Sequence, residues 1–353
     1  SKKLKLLRQK LIDFASLIEL ELDFSEEDVE FADRNQLNNL LNELQKEISA
    51  LINSFKIGNV IKNGIPVAIL GAPNVGKSTL LNHLIDQKIS IVTRKPQTTR
   101  WNINGIKTNN NYQIIFIDTP GLQINPKYNL NRYMNKEVSA SLIFVDIIIF
   151  VIEALNWDDL DYNVVKLLEK FDRNRLFLAI NKIDKIPKRE MLLSEIDSIS
   201  KKVKFDEIIP ISALKGFGLD DLEKLIVKNL PFSEPFYPKD QITDRSERFF
   251  AAEFIREKLI VRLSDEIPYH TTVTIDKFND NGDIIHINAC IWVEKEGQKS
   301  IVIGKNGKVL KEVGTLARIE LEKFFSKKVN LKTWVKIKNK WRDSKTMLKE
   351  FGY

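Results

Sequence analysis

The chain has 353 residues, long for a single core and enough for two or three domains. Its one cysteine, Cys290, excludes an internal disulfide partner and a cysteine-rich zinc site, and fits a reducing cytosol. The net charge of +7 is uneven: residues 291–353 carry +9 and all the others together −2, the electrostatic footprint of a nucleic-acid-binding end, with an acidic membrane surface as the rival.

In chain order, Leu4, Leu7, Leu11, Phe14 and Ile18 first fall at helical spacing. An acidic stretch follows, with eight Asp/Glu and no Lys or Arg from Glu19 to Asp33. Leu37, Leu40, Leu41, Leu44, Ile48, Leu51 and Ile52 then predict a second amphipathic helix, so the start reads as an antiparallel helical pair ending near Gly58. From Ile65 the pattern switches to alternating strands and helices, which predicts a parallel sheet covered on both faces. Strands are expected over 66–71, 112–118, 147–153, 176–181 and 207–212, with a helix over 77–85. The longest apolar stretch, 142–155, is broken by Asp146 and Glu153; it is too short and too charged to cross a bilayer and reads as a buried strand with flanks. A Pro- and Phe-rich segment over 231–243 reads as a linker. Beyond it come a helix over 249–263, strands over 271–278 and 283–294, a short apolar run over 300–303, a Gly-x-x-Gly turn, a helix to about Phe325 and a last strand over 330–338. That order resembles a KH RNA-binding domain.

Three motifs, each at the carboxyl end of a predicted strand, carry chemistry. Gly71-Ala72-Pro73-Asn74-Val75-Gly76-Lys77-Ser78, continued by Thr79, is a phosphate cradle. Its glycines let the backbone wrap closely around phosphates, and its N–H groups and the following helix N-terminus supply positive charge. Lys77 serves the β- and γ-phosphates, and Ser78 offers a hydroxyl to Mg²⁺. Asp118-Thr119-Pro120-Gly121-Leu122 places a carboxylate for Mg²⁺ at a strand end and the Gly121 N–H toward the γ-phosphate. Asn181-Lys182-Ile183-Asp184 reads guanine: a carboxylate accepts two N–H bonds from that base, and adenine would leave it unpaired. Lys182 lays its stem along the base, and Ser212-Ala213 supports the guanine oxygen.

Together the motifs specify a GTPase, converting GTP to GDP and phosphate, built as an α/β P-loop GTPase domain followed by a C-terminal α+β KH domain, with a helical pair in front. The expected boundaries are 1–62 for the helical segment, 63–231 for the GTPase domain, 232–246 for the linker and 247–353 for the KH domain. Where a glutamine would orient the attacking water, immediately after Gly121, stands Leu122, with Gln123 one residue on. Slow intrinsic hydrolysis, helped by a cation or a partner, is therefore expected. In the basic end, Ile303, Gly304, Lys305, Asn306, Gly307 and Lys308 form the turn that clamps nucleotides in KH domains, with lysines to meet phosphates. Trp334 and Trp341 are read as core packing rather than base stacking, and His270 and His286, within strands, are given no role.

From Gly71 onward the chain resembles the Era family of bacterial GTPases, which assist assembly of the small ribosomal subunit. The resemblance rests on Lys95-Pro96-Gln97-Thr98-Thr99-Arg100, on the Asp118 and Asn181 motifs, on Val302 to Gly307, on Trp334 to Arg342 and on Phe351-Gly352-Tyr353. It implies a KH domain that grips the 3′ end of 16S rRNA on the 30S subunit, in the cytoplasm, with peripheral association at the inner face of the cell membrane as an added location. The first seventy residues instead resemble MnmE, a GTPase of tRNA wobble-uridine modification, through Leu17 to Phe24, Glu26 to Phe31 and Ile61 to Ala68. A hybrid joined near the phosphate loop accounts for both. Both families imply potassium: Asn74, Thr93 and Thr98 match its ligands, although Arg94 to Gln97 departs from the MnmE loop, and Thr99 matches the switch threonine on Mg²⁺. The expected cofactors are thus GTP/GDP, Mg²⁺ and K⁺. The alternative function is an MnmE-like component of tRNA modification; the folate-binding domain and Cys-x-Gly-Lys of that family are not in the sequence, so tRNA is not the expected partner.

Overall fold

Strands buried on both faces need apolar residues at every position, and the middle of this chain supplies them. In a computed structural model the described residues are 65–123, 126–169, 175–231, 234–264 and 266–353, together with Ile12 and seven residues between Asn38 and Lys46. The chain divides into two units, Ser1–Asn63 and Gly64–Tyr353. In the first, Ile12 and Leu41 are helical and exposed. Apart from Ile12 and those seven residues, all helical and exposed, the predicted helical pair, with the acidic stretch, lies outside the described residues.

The second unit begins with a six-stranded sheet in the order β2-β3-β1-β4-β5-β6. Its elements are β1 (Ile65–Leu70), α1 (Lys77–Ile85), β2 (Ile103–Thr108), β3 (Gln113–Asp118), α2 (Asn129–Leu142), β4 (Ile147–Glu153), α3 (Asp159–Leu168), β5 (Arg175–Asn181), α4 (Arg189–Ser200), β6 (Glu207–Pro210) and α5 (Leu219–Lys228). The period of two sorts each strand between two cores. Val67, Ile69, Ile147, Ile149 and Val151 share one with α1 and α5. Ala68, Leu70, Ile148, Phe150 and Ile152 share the other with α2, α3 and α4.

The sheet is not wholly parallel, as the alternation had suggested. β2 lies antiparallel to β3 as an edge strand, from Ile103 opposite Asp118 to Thr108 opposite Gln113. Its sequence, Ile-Asn-Gly-Ile-Lys-Thr, has apolar residues three apart and so carries no strand period. The linker does not hang free. Gln113 Oε1 accepts from the N–H groups of Phe236 and Tyr237, both at 2.8 Å, and the Ile106 N–H donates to Ile242 O at 2.8 Å. The last of these bonds lies on the outer edge of β2, and the first two tie the segment to the start of β3.

The chain continues through α6 (Glu247–Arg262), β7 (Thr272–Asp280), β8 (Ile284–Val293), α7 (Glu296–Ile303), α8 (Lys308–Phe325), β9 (Lys328–Ile337) and α9 (Lys345–Glu350). β7 and β8 are antiparallel, β8 and β9 parallel, in the order β7-β8-β9. The three longer helices cover one face of this sheet through Ile255, Leu259, Val302, Val313 and Ala317. The short apolar run before Gly304 is the end of a helix, α7. Trp341 is fully buried with Leu130, Met134, Leu348 and Phe351, as expected of a core residue. Trp334, also read as core, is 45% exposed. His270 closes a 3-10 turn over Ile267–His270 rather than lying in a strand, and its Nδ1 is 2.7 Å from Glu294. Among the described residues no helix is long and apolar enough to cross a membrane.

Candidate nucleotide and RNA sites

A cleft of ≈ 690 Å³ opens at the carboxyl ends of β1, β3 and β5, lined by Asn74, Lys77, Ser78, Thr98, Asn181 and Asp184 among others. Two glycines make its floor. A Cβ on Gly71, with φ +154°, would lie 2.2 Å from Val151 O, and one on Gly76, with φ +103°, 2.3 Å from Asn181 Nδ2. No larger residue fits either position. Lys77 folds back to donate to Gly71 O and Ala72 O, both at 2.9 Å. Burial lowers its pKa from 10.5 to about 8 against the opposing charges of Asp118 and Asp161.

Ser78 Oγ donates to Asp118 Oδ2 at 2.6 Å and lies 3.0 Å from Thr99 Oγ1. Ser90 Oγ donates to the same carboxylate oxygen at 2.8 Å. Asp118 is fully buried, and among the described residues its Oδ1 has no hydrogen-bond partner. Burial pushes its pKa up, against hydrogen bonds from the two serines and the charge of Lys77. Hard oxygens from Ser78, Thr99 and Asp118, one of them unpartnered and buried, are a donor set that fits Mg²⁺. Thr119 Oγ1 ties the strand end to Ile69 O at 2.8 Å, and Gly121 packs so tightly on Pro73 that a Cβ would come within 2.9 Å of it.

At the other end Asn181 is a staple. Its Nδ2 donates to Val75 O at 2.7 Å, and its Oδ1 accepts from the N–H groups of Lys182 and Ala213, each at 2.8 Å. Three separated segments are thereby fixed by one amide. Asp184 is exposed to the cleft, with Ser212 Oγ donating to its Oδ1, while Lys182 Nζ reaches Glu153. Thr93 and Thr98 close a turn through their hydroxyls, 2.6 Å apart, and both line the cleft with Asn74. Leu122 packs into the α2–α4 core, and the Gln123 side chain accepts from Gln97 at 3.0 Å and donates to Gly121 O at 3.2 Å.

The predicted RNA turn is built apart from this cleft. Gly304 has φ +71°, and a Cβ there would lie 2.4 Å from Val309 Cγ2; Gly307, at φ +72°, faces open space. Lys305, Asn306 and Lys308 are exposed, and Ile303 and Gly304 half-buried. A groove of ≈ 360 Å³ runs from Gly307 between α8 and β9, past Leu310, Lys311, Arg318 and Thr333.

Two family models match: one described as a 50S ribosome-binding GTPase over residues 66–182, and a KH domain over residues 266–342. GTPase Era of Marinobacter nauticus is 50% identical over 286 residues, covering 81% of this chain and 93% of that protein. The Ectopseudomonas mendocina GTPase Era is 47% identical over 287 residues, covering 81% and 96%. The chain belongs to the Era family of GTPases. Two solved Era structures are similar at a TM-score of 0.79 and 41% identity, covering 82% of this chain and 98% of theirs: an Aquifex aeolicus variant bound to GDP·AlF₄⁻, and Era with MgGDPNP and nucleotides 1506–1542 of 16S ribosomal RNA.

What motif reading missed in this Era-family protein is the seam between its two sheets. Phe250, Ala251 and Phe254 of α6 join the core of α1. Arg256, fully buried, pairs with Glu253 and donates to Thr98 O. Glu257 accepts the Val92 N–H at 3.0 Å and the Lys88 ammonium at 2.7 Å. Arg100, 1% exposed, reaches Thr271 O and Tyr353 Oη, each at 2.9 Å, and the Trp101 ring stacks on Tyr353 at 4.5 Å. Of these, Phe250, Phe254, Arg256 and Glu257 belong to no spaced motif. The signal available was the family's own Lys95 to Arg100 and the closing Phe351 to Tyr353, of which Arg100 and Tyr353 meet here.

Proposed function

We propose that this GTPase is a switch that grips the 3′-terminal segment of 16S rRNA through its KH domain and assists small-subunit assembly in the cytoplasm. The carrying observation is the bond from Arg256, on the first KH helix, to Thr98 O, in the segment that lines the nucleotide cleft. A change in that segment on loss of the γ-phosphate cannot leave α6 untouched. That an Era relative binds MgGDPNP together with 16S rRNA supports the same reading.

In this reading Gly71 to Thr79 hold the phosphates, Asp184 selects guanine, Lys182 covers the base, and Ser212-Ala213 backs it. Lys77 turns from the carbonyls of Gly71 and Ala72 to the β- and γ-phosphates, where negative charge raises its lowered pKa again. Ser78, Thr99 and Asp118 hold Mg²⁺, which neutralises charge developing on the phosphates. Asn74, Thr93 and Thr98 hold K⁺, whose charge makes up for a leucine at 122. The Ile303–Lys308 turn holds the RNA backbone. We take the working boundaries as 63–231 for the GTPase domain and 247–353 for the KH domain. RNA affinity should be higher for protein loaded with a non-hydrolysable GTP analogue than with GDP; equal affinities would remove the switch. Turnover should be faster in KCl than in NaCl, and equal rates would remove the K⁺ site.

A further inference from the structure

We infer that the outward face of β9 is a second RNA-contact surface: Trp334 stacks a base of the strand leaving the groove, and Lys332 and Lys336 meet its phosphates. The inference rests on the RNA-binding reading above and extends it beyond the Gly304–Gly307 turn.

Along β9 the side chains alternate. Leu331, Val335 and Ile337 pack toward the helices, whereas Asn330, Lys332, Trp334 and Lys336 are all exposed. A large ring left 45% exposed in the middle of a sheet, between two outward lysines, is an unusual use of tryptophan. In register across β8, Asn288 stands beside Lys332, Cys290 beside Trp334 and Trp292 beside Lys336. One end of this face is already closed. Trp292 Nε1 donates to Thr274 Oγ1 at 2.9 Å, and its ring packs on Phe351 at 5.3 Å. The free end begins at Trp334. Among the described residues Lys332 has no ion-pair partner, and the acidic group facing Lys336 is Asp276 at 3.9 Å.

The decisive placement is that β9 is the edge strand of its sheet and belongs to both surfaces. Thr333 lines the groove, and its neighbour Trp334 lies on the opposite face. An RNA strand that follows the groove and turns over this edge meets a flat π-surface flanked by cations. That is the combination single-stranded nucleic acid binds, because every base has a stacking face and every linkage an anion. Lys336 Nζ, 5.5 Å from the centre of the Trp292 ring, is held over the closed end of the face, where the next phosphate would lie.

The test uses the full chain and two RNA oligonucleotides from the 3′-terminal segment of 16S rRNA. One, of about six nucleotides, spans the turn and groove; the other, of about twelve, continues past it. Fluorescence anisotropy is read for wild type, Trp334→Ala, Trp334→Phe and Lys332→Ser/Lys336→Ser. We expect Trp334→Ala to weaken the long RNA about tenfold and the short one less than about twofold, with phenylalanine restoring most of the loss. The double lysine variant should flatten the salt dependence for the long RNA alone. Unchanged affinity of Trp334→Ala for the long RNA overturns the inference. So does a loss in Trp334→Ala confined to sedimentation with anionic phosphatidylglycerol vesicles, which would make the face a membrane surface. If wild type binds neither RNA, the RNA-binding reading falls first and this one with it.

Discussion

The nucleotide cleft and the RNA turn are both glycine loops opening a helix, yet they are built in opposite ways. In the first, side chains that frame the cleft are already engaged: Ser78 on Asp118, Asn181 on Val75, Lys182 and Ala213. In the second, Lys305, Asn306 and Lys308 stand in solvent, and Gly307 has open space beside it. A small ligand of fixed shape rewards a site arranged in advance, since little is then lost to ordering on binding. A flexible polymer is held by many modest contacts on an open surface, each worth little by itself.

That contrast predicts concentrated effects in the cleft and distributed ones on the RNA side. The largest should follow Lys77→Ala. Removing the ammonium that the proposed function places on the β- and γ-phosphates should cut kcat by about 10²- to 10³-fold, read as phosphate release at saturating GTP. A decrease under tenfold would mean that another group carries the charge.

Next comes the seam that joins the two regions. Arg256→Ala leaves Glu253, 3% exposed, without its partner and frees Thr98 O. Breaking a buried pair typically costs about 3–5 kcal/mol, and urea unfolding should report it. RNA affinity should also stop depending on which nucleotide is bound. Retained dependence at reduced stability would show that coupling runs through another contact, with Glu257 and Arg100 the next to test.

On the RNA side Gly307→Asp is sharper than Gly304→Asp. A side chain at 304 would strike Val309, so loss of binding there could be loss of fold. At 307 there is room, and only the left-handed φ of +72° is strained, at about 1–2 kcal/mol. Its carboxylate beside the RNA backbone should lower affinity at least tenfold while GTP turnover without RNA stays within twofold. Full RNA binding by a folded Gly307→Asp protein would remove the clamp.

How much of this was legible beforehand follows the same division. The cleft was readable because its residues sit at fixed spacings on strands whose apolar runs stand out, as in Ile147 to Glu153. β2 was not, since Ile103 and Ile106 show no alternation and the strand exists by pairing with β3. Ser90, Arg256 and Glu257 were invisible for a related reason: each is defined by a partner distant in sequence, 28, 158 and 165 residues away. Trp334 failed in the other direction. Hydrophobicity assigns tryptophan to a core, and only the phase of β9 turns this one outward.

A further effect expected is a pH dependence of the seam's far side, where His270, Glu294 and Arg342 meet. Burial alone would raise the Glu294 pKa, but hydrogen bonds and charge from His270 and Arg342 outweigh it and hold the carboxyl at about 2, against 4.5 when free. A carboxyl with a depressed folded pKa contributes stability fully above its free value and loses it as pH falls toward the folded one. Urea midpoints for wild type should therefore drop faster than those of Glu294→Gln between about pH 4.5 and 2, the two curves converging at the acid end. Parallel curves would show that Arg342, whose guanidinium also lies 3.9 Å from the centre of the Tyr128 ring, is held by that ring and not by the carboxylate.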